Sequence, residues 1–67
     1  MNKLRELRKN NKLTQEDCAK IAFISKKSYE RYENGLREPP ISVLMIFCKY
    51  YNVSINYILG DTISYEK

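Results

Sequence analysis

Histidine is absent from this chain of 67 residues, and cysteine, glycine and proline occur only twice each. Without histidine, the two thiols, Cys18 and Cys48, cannot assemble an ordinary four-ligand zinc site. Nor do they form the cysteine framework of a small secreted domain. Both lie in apolar helical patterns, where a free cysteine behaves as a small buried hydrophobe, so reduced core thiols are expected. There is no glycine-rich phosphate loop and no activated nucleophile. No carboxylate cluster has metal-ligand spacing, since Glu16 and Asp17 are helix neighbours that do not face one site. The chain therefore reads as a non-enzyme with no cofactor and no metal. Long apolar runs are missing too. The most apolar stretch, Ile41 to Phe47, includes Ser42 and is far too short to span a bilayer. Met1 leads straight into charged residues with no readable signal peptide, which makes the cytoplasm the expected compartment.

What the chain does have is positive charge, unevenly spread. It carries 12 Lys and Arg against 8 Asp and Glu. Residues 1–37 hold ten bases and five acids, whereas residues 38–67 hold two and three. The basic half suggests a side that meets a polyanion, and the near-neutral half a structural or partner-facing side. A chain this short makes one domain, which buries only about 60% of the surface its unfolded form exposes. Most apolar side chains are therefore needed for folding.

The apolar spacing is helical throughout and gives five short helices, with no strand pattern. Leu4, Leu7 and Asn11 share a face of the first, and Asn10 and Asn11 end it, because asparagine tolerates the left-handed conformation. Thr14 followed by Asp17 is a capping-box pattern that opens a second helix running to about Ala22, with Cys18, Ala19 and Ala22 inward. After a break at Phe23-Ile24, Ser25 caps a third helix to about Glu33. It turns Tyr29 and Tyr32 inward and Lys26, Lys27, Glu30 and Arg31 outward. Asn34 and Gly35 stop it, Gly35 with a positive φ. A fourth helix spans Ile41 to Tyr51 after Pro39-Pro40, Asn52 turns the chain, and Ser54 caps a fifth that ends at Gly60. The domain is expected over residues 1–60, followed by a tail at 61–67.

Two capped helices about three residues apart, the second basic, fit a helix-turn-helix. The residues sharpen that outline: Leu7-Arg8, Leu13-Thr14-Gln15-Glu16, Ala19, Ile24-Ser25, Tyr32-Glu33-Asn34-Gly35, Pro39, Leu44, Val53-Ser54 and Tyr57-Ile58-Leu59-Gly60. In this order and spacing they resemble the phage lambda-repressor and Cro-like (XRE-type) helix-turn-helix family over nearly the whole chain. The resemblance implies an all-α, compact five-helix lambda-repressor-like fold that binds double-stranded DNA as a transcriptional regulator, most simply a repressor. It implies base contacts by Lys26, Lys27 and Arg31, and phosphate contacts by Gln15, Ser28 and Asn34. It also implies an ion pair in which Arg8 of the first helix holds the Glu33 that closes the third.

Side-chain chemistry agrees with these roles. The first turn of a helix in the major groove is the part that reaches base edges. Lys27 and Arg31 lie one turn apart on one face, and their donors suit the acceptors of guanine. Lys26, at the helix start, is placed equally well for a phosphate. Arg37 and Lys12 add phosphate partners. Three positions depart from the family pattern. Phe23 stands where a residue tolerant of positive φ is usual, so either the turn is built differently or burial against Ile21 compensates. Lys12 replaces a frequent glycine. Tyr29 replaces an aliphatic core residue, either as core with its hydroxyl reaching solvent or phosphate, or as a DNA contact.

On the fourth helix, Leu44, Phe47, Cys48 and Tyr51 form the stripe expected to face the core. Val43, Ile46 and Tyr50 form a second stripe that needs a cover. With Tyr57 and the tail around Ile63 and Tyr65, it is expected to make a homodimer on a palindromic operator, unless the tail itself folds over it. Half-sites would then lie about 34–36 Å apart. The alternative function is a protein-interaction module on the same fold without DNA binding. That Lys26, Lys27 and Arg31 on the outer face of the third helix are all basic favours DNA.

Overall fold

The computed structural model describes residues 2–60. Five helices follow in order: α1 (Leu4–Asn10), α2 (Gln15–Ala22), α3 (Lys26–Glu33), α4 (Ile41–Tyr51) and α5 (Ile55–Leu59). Three of the starts, those of α2, α3 and α5, have a side-chain cap. The Thr14 hydroxyl accepts from the Asp17 amide at 3.0 Å, and the Asp17 carboxylate accepts from the Thr14 amide at 2.9 Å. That reciprocal pair satisfies two amides that a helix start would leave unpaired, and the Thr14 amide holds the Asp17 carboxyl below the usual carboxylate range. Ser25 and Ser54 cap α3 and α5 by accepting from Ser28 and Tyr57, each at 3.1 Å.

The helix ends share one device. Lys12, Phe23, Gly35, Asn52 and Gly60, one after each helix, all have positive φ. The next amide then reaches back five residues, as from Leu13 to the Arg8 carbonyl, Ile24 to Ala19, Leu36 to Arg31 and Val53 to Cys48. These are Schellman closures, which satisfy terminal carbonyls that have no helical partner. The left-handed residue after α1 is Lys12 rather than an asparagine, since Asn11 has φ −99°. Asn11 is exposed, and its side-chain amide donates back to the Leu7 carbonyl at 2.8 Å. The turn after α2 is not rebuilt to suit Phe23, which adopts φ 59° and ψ 42° and stays 89% exposed. No burial offsets the backbone strain, about 1–2 kcal/mol for a side chain with a Cβ.

The core draws on every helix: Leu4 and Leu7, then Cys18, Ala19 and Ala22, then Tyr29, then Val43, Leu44 and Phe47, and Ile58. Alanines and Cys18 on α2 allow α3 and α4 to approach closely. Tyr29 meets Phe47 edge-on at 5.8 Å, and Phe47 stacks on Tyr51 at the same distance. Tyr51 in turn touches the Cys18 sulfur through its hydroxyl at 3.4 Å. Both cysteines are free thiols. The amide of Lys3 donates to the Ile58 carbonyl at 2.8 Å and ties the start of the domain to its last helix.

Two expectations about side chains are corrected. Tyr29 is fully buried, and its hydroxyl reaches neither solvent nor a DNA-facing surface. It lies near Glu33 and Cys18 without hydrogen-bond geometry to either, and burial pushes the phenol far above its ordinary pKa. Val43 is 5% exposed and belongs to the core rather than to a dimer surface. The reason is that α4 packs against both α2 and α5, so its buried arc is wide enough to take in Val43 and half-bury Ile46. Tyr50 and Tyr57 do remain exposed, together with Ile41 and Met45. Ile63 and Tyr65, expected to extend that surface, lie outside the described residues.

The third helix is fixed to the first by a buried carboxylate. Glu33 has no exposed side-chain surface. Its Oε1 accepts from Arg8 Nε at 3.0 Å, and its Oε2 from Arg8 Nη2 at 3.0 Å and Arg5 Nε at 2.9 Å. Arg8 Nη1 donates onward to the Leu13 carbonyl at 3.1 Å. Burial alone would raise the Glu33 pKa, but hydrogen bonds from Arg8 and Arg5 prevail and bring it to about 2.

Arg8 is 14% exposed and Arg5 54%. Arg8→Ala is therefore expected to cost on the order of 3 kcal/mol in urea unfolding, the low end for breaking a buried pair because Arg5 stays. Arg5→Ala should cost about 1 kcal/mol or less. Because the Glu33 pKa is lowered on folding, its contribution is complete above the ordinary value of 4.5 and is lost as pH falls toward about 2. Acid titration of wild type and Glu33→Gln by circular dichroism checks this: the variant should lose less stability than wild type across that window.

Candidate nucleic-acid interface

The Arg8–Glu33–Arg5 cluster holds the C-terminal end of α3, and the Ser25 cap defines the other. Between them α3 has two unlike sides. Tyr29 and Tyr32 turn into the body, while Lys26, Lys27 and Arg31 are exposed on the outside. Lys27 and Arg31, four residues apart, share one surface. Lys26 sits beside Glu30 at 3.9 Å, an exposed contact that leaves its ammonium largely hydrated. The helix start carries unpaired amides and a positive dipole end, so cations and backbone donors are grouped at one tip.

Of the residues expected at phosphates, Gln15 and Ser28 lie on the side of this tip, and Asn34 and Arg37 at the other end of α3. Gln15 is the first residue of α2 and is half-buried. Ser28 is half-buried and tied into the cap, its hydroxyl accepting from Ser25 Oγ at 3.0 Å. Its own hydroxyl proton is left for another acceptor. Asn34 caps the end of α3 and is exposed, its Oδ1 accepting from Arg5 Nη2. That contact occupies the amide oxygen and leaves the amide nitrogen as the donor. Arg37 is exposed in the loop after α3, and its backbone amide donates to the Arg31 carbonyl at 3.3 Å.

A cleft of about 630 Å³ opens where α1 meets the starts of α2 and α3. Arg5, Arg8, Lys9, Gln15 and Lys26 line it, with Glu16 and Glu33 as its acids. Its charge is net positive, and it brings Gln15 and Lys26 to one concavity. Arg37 lies elsewhere, beside Leu36 and Pro39 in a separate groove. Sequence reading had assigned neither Arg5 nor Lys9 a role. The available signal for Arg5 was its spacing: it lies three residues before Arg8 and so shares the helix face that reaches Glu33.

A family model described as helix-turn-helix matches residues 4–58. The chain is 47% identical over 60 residues to the uncharacterized HTH-type transcriptional regulator YobD of Bacillus subtilis (strain 168), covering 90% of this chain and 54% of that one. It is 40% identical over 58 residues to the antitoxin PezA of Streptococcus pneumoniae serotype 4, covering 87% and 37%. It is 32% identical over 60 residues to the cryptic phage CTXphi transcriptional repressor RstR of Vibrio cholerae, covering 90% and 54%. The chain thus spans about half the length, or less, of these curated relatives. No solved structure matches it. Among the described residues, no helix is long and apolar enough to cross a membrane. Capped helices at this spacing, a buried Arg8–Glu33 pair and a match over residues 4–58 lead to one statement: the chain belongs to the Cro/C1-type (XRE) helix-turn-helix family.

Proposed function

We propose that this chain is a sequence-specific double-stranded DNA-binding domain that regulates transcription in the cytoplasm, acting as a repressor by occluding a promoter. The observation that carries the reading is the free cationic side of α3, with Lys26, Lys27 and Arg31 exposed above a rigidly anchored helix. In the major groove, Lys27 and Arg31 donate to base edges, Arg31 suiting the paired acceptors of guanine. Lys26 reaches the first base or the phosphate beside it. Gln15, Ser28, Asn34 and Arg37 bond the backbone on either side and set the register of the helix. Relatives whose names include transcriptional regulators and a phage repressor support the same reading.

Two copies are proposed to bind a palindromic operator, joined through the exposed rings of Tyr50 and Tyr57 with Ile46 at the edge. Lys3 places its ammonium over the Tyr57 ring at 5.9 Å, a weak exposed contact. Sedimentation equilibrium is the test. A dimer at micromolar concentration that Tyr57→Ala weakens supports the pairing, and a wild-type monomer at high micromolar concentration removes it.

Selection of bound duplexes from a random oligonucleotide pool supplies the operator. On that operator Arg31→Ala is expected to cost about 1–3 kcal/mol and to relax preference at one base position. Gln15→Ala should weaken specific and random duplexes alike. Equal losses on both duplexes for Arg31→Ala would remove its base-reading role.

A further inference from the structure

Phe23 has no function within the fold. The closure of α2 needs only backbone groups, the Phe23 amide on the Lys20 carbonyl and the Ile24 amide on that of Ala19. The apolar contact that usually accompanies such a closure falls to Ile24, which packs half-buried against the core. Among the described residues Phe23 is the most exposed of the large hydrophobic ones, at 89%. It also sits on a backbone that disfavours any side chain with a Cβ. Where this chain needs only the turn, after α3, α4 and α5, it uses Gly35, Asn52 and Gly60. Lys12 shares the strain, but its charged head belongs in water. An exposed aromatic held in a strained conformation is an outlier of the kind that collects at binding sites.

Its position gives the binding partner. Phe23 comes two residues before the Ser25 cap, at the end of α3 where Lys26 and Lys27 begin. Lys20, Lys26 and Lys27 surround it in sequence, and all three are exposed. An exposed ring flanked in sequence by exposed lysines suits a partner that is anionic but carries apolar patches, which describes the edge of a DNA groove. Phosphates there alternate with deoxyribose faces, and thymine presents its 5-methyl group.

We propose that Phe23 is a duplex contact, its ring packing on deoxyribose or a thymine methyl at the margin of the half-site read by α3. The inference rests on the DNA-binding reading above and adds an apolar, salt-independent component to it.

The test uses Phe23→Gly and Phe23→Asn in the full chain, because both residues accept the left-handed backbone. Melting temperature should hold or rise in both variants, so lost binding cannot be blamed on folding. Affinity for the operator selected with wild type should fall about 5- to 30-fold, the factor that about 1–2 kcal/mol makes. The slope of log affinity against log salt should not change, since the ring releases no counterion, whereas Arg37→Ala, at a phosphate, should flatten it by about one. Uracil substituted singly for thymine across the operator separates the two surfaces. A position that weakens wild type but not Phe23→Gly identifies the methyl, and no such position identifies the sugar.

Unchanged affinity in Phe23→Gly overturns the proposal while leaving the DNA-binding reading intact. The same result with altered transcription from that operator in vitro also overturns it, and moves the ring to a protein partner. A wild-type chain that binds no duplex at low salt removes both readings together.

Discussion

A carboxylate with no exposed surface is the joint on which this domain turns. Glu33 ends the helix whose far tip carries the exposed lysines, and both of its oxygens are held by arginines from α1. A charge taken out of water is tolerated only when its partners satisfy it, and a single residue there meets three donors. The geometry matters more than the net energy. Two atoms of Arg8 on the carboxylate and a third on the Leu13 carbonyl determine how α3 lies against α1 and the entry of α2. The same carboxylate links to Asn34 through Arg5, so anchoring and presentation share one network.

A line of aromatic rings runs through the otherwise aliphatic interior. Tyr29, Phe47 and Tyr51 form a continuous line of rings, bounded by the Cys18 sulfur. For so short a chain this is efficient, because each ring removes a large area from water with two rotatable bonds. Its cost is the Tyr29 hydroxyl, buried without a hydrogen-bond partner.

Local features were legible in the sequence, and features set by neighbouring helices were not. The caps at Thr14, Ser25 and Ser54 and the stops at Gly35, Asn52 and Gly60 depend on a few consecutive residues, and the structure has them where the pattern put them. The Arg8–Glu33 pair was visible only through family likeness, being 25 residues apart in the chain. Arg5 escaped notice because an exposed arginine on a charged helix looks like any solubilising residue. Val43 was misjudged because stripe counting treats a helix as having one buried side, while α4 has neighbours on two. Phe23 shows the opposite failure: the expected compensation was structural, and the structure provides none. Where a local rule breaks without internal reward, the reason has to be sought outside the molecule.

The shortness of the helices has its own consequence. The longest, α4, has 11 residues and α3 has eight, lengths at which isolated segments are marginal in water. Helix α3 therefore has no existence apart from the domain that carries it. Its amides can exchange with solvent chiefly when the whole body opens, and a ligand gripping only its outer side still draws on the stability of all five helices. Occupancy at one face then registers everywhere at once, as mass action on a single cooperative unit.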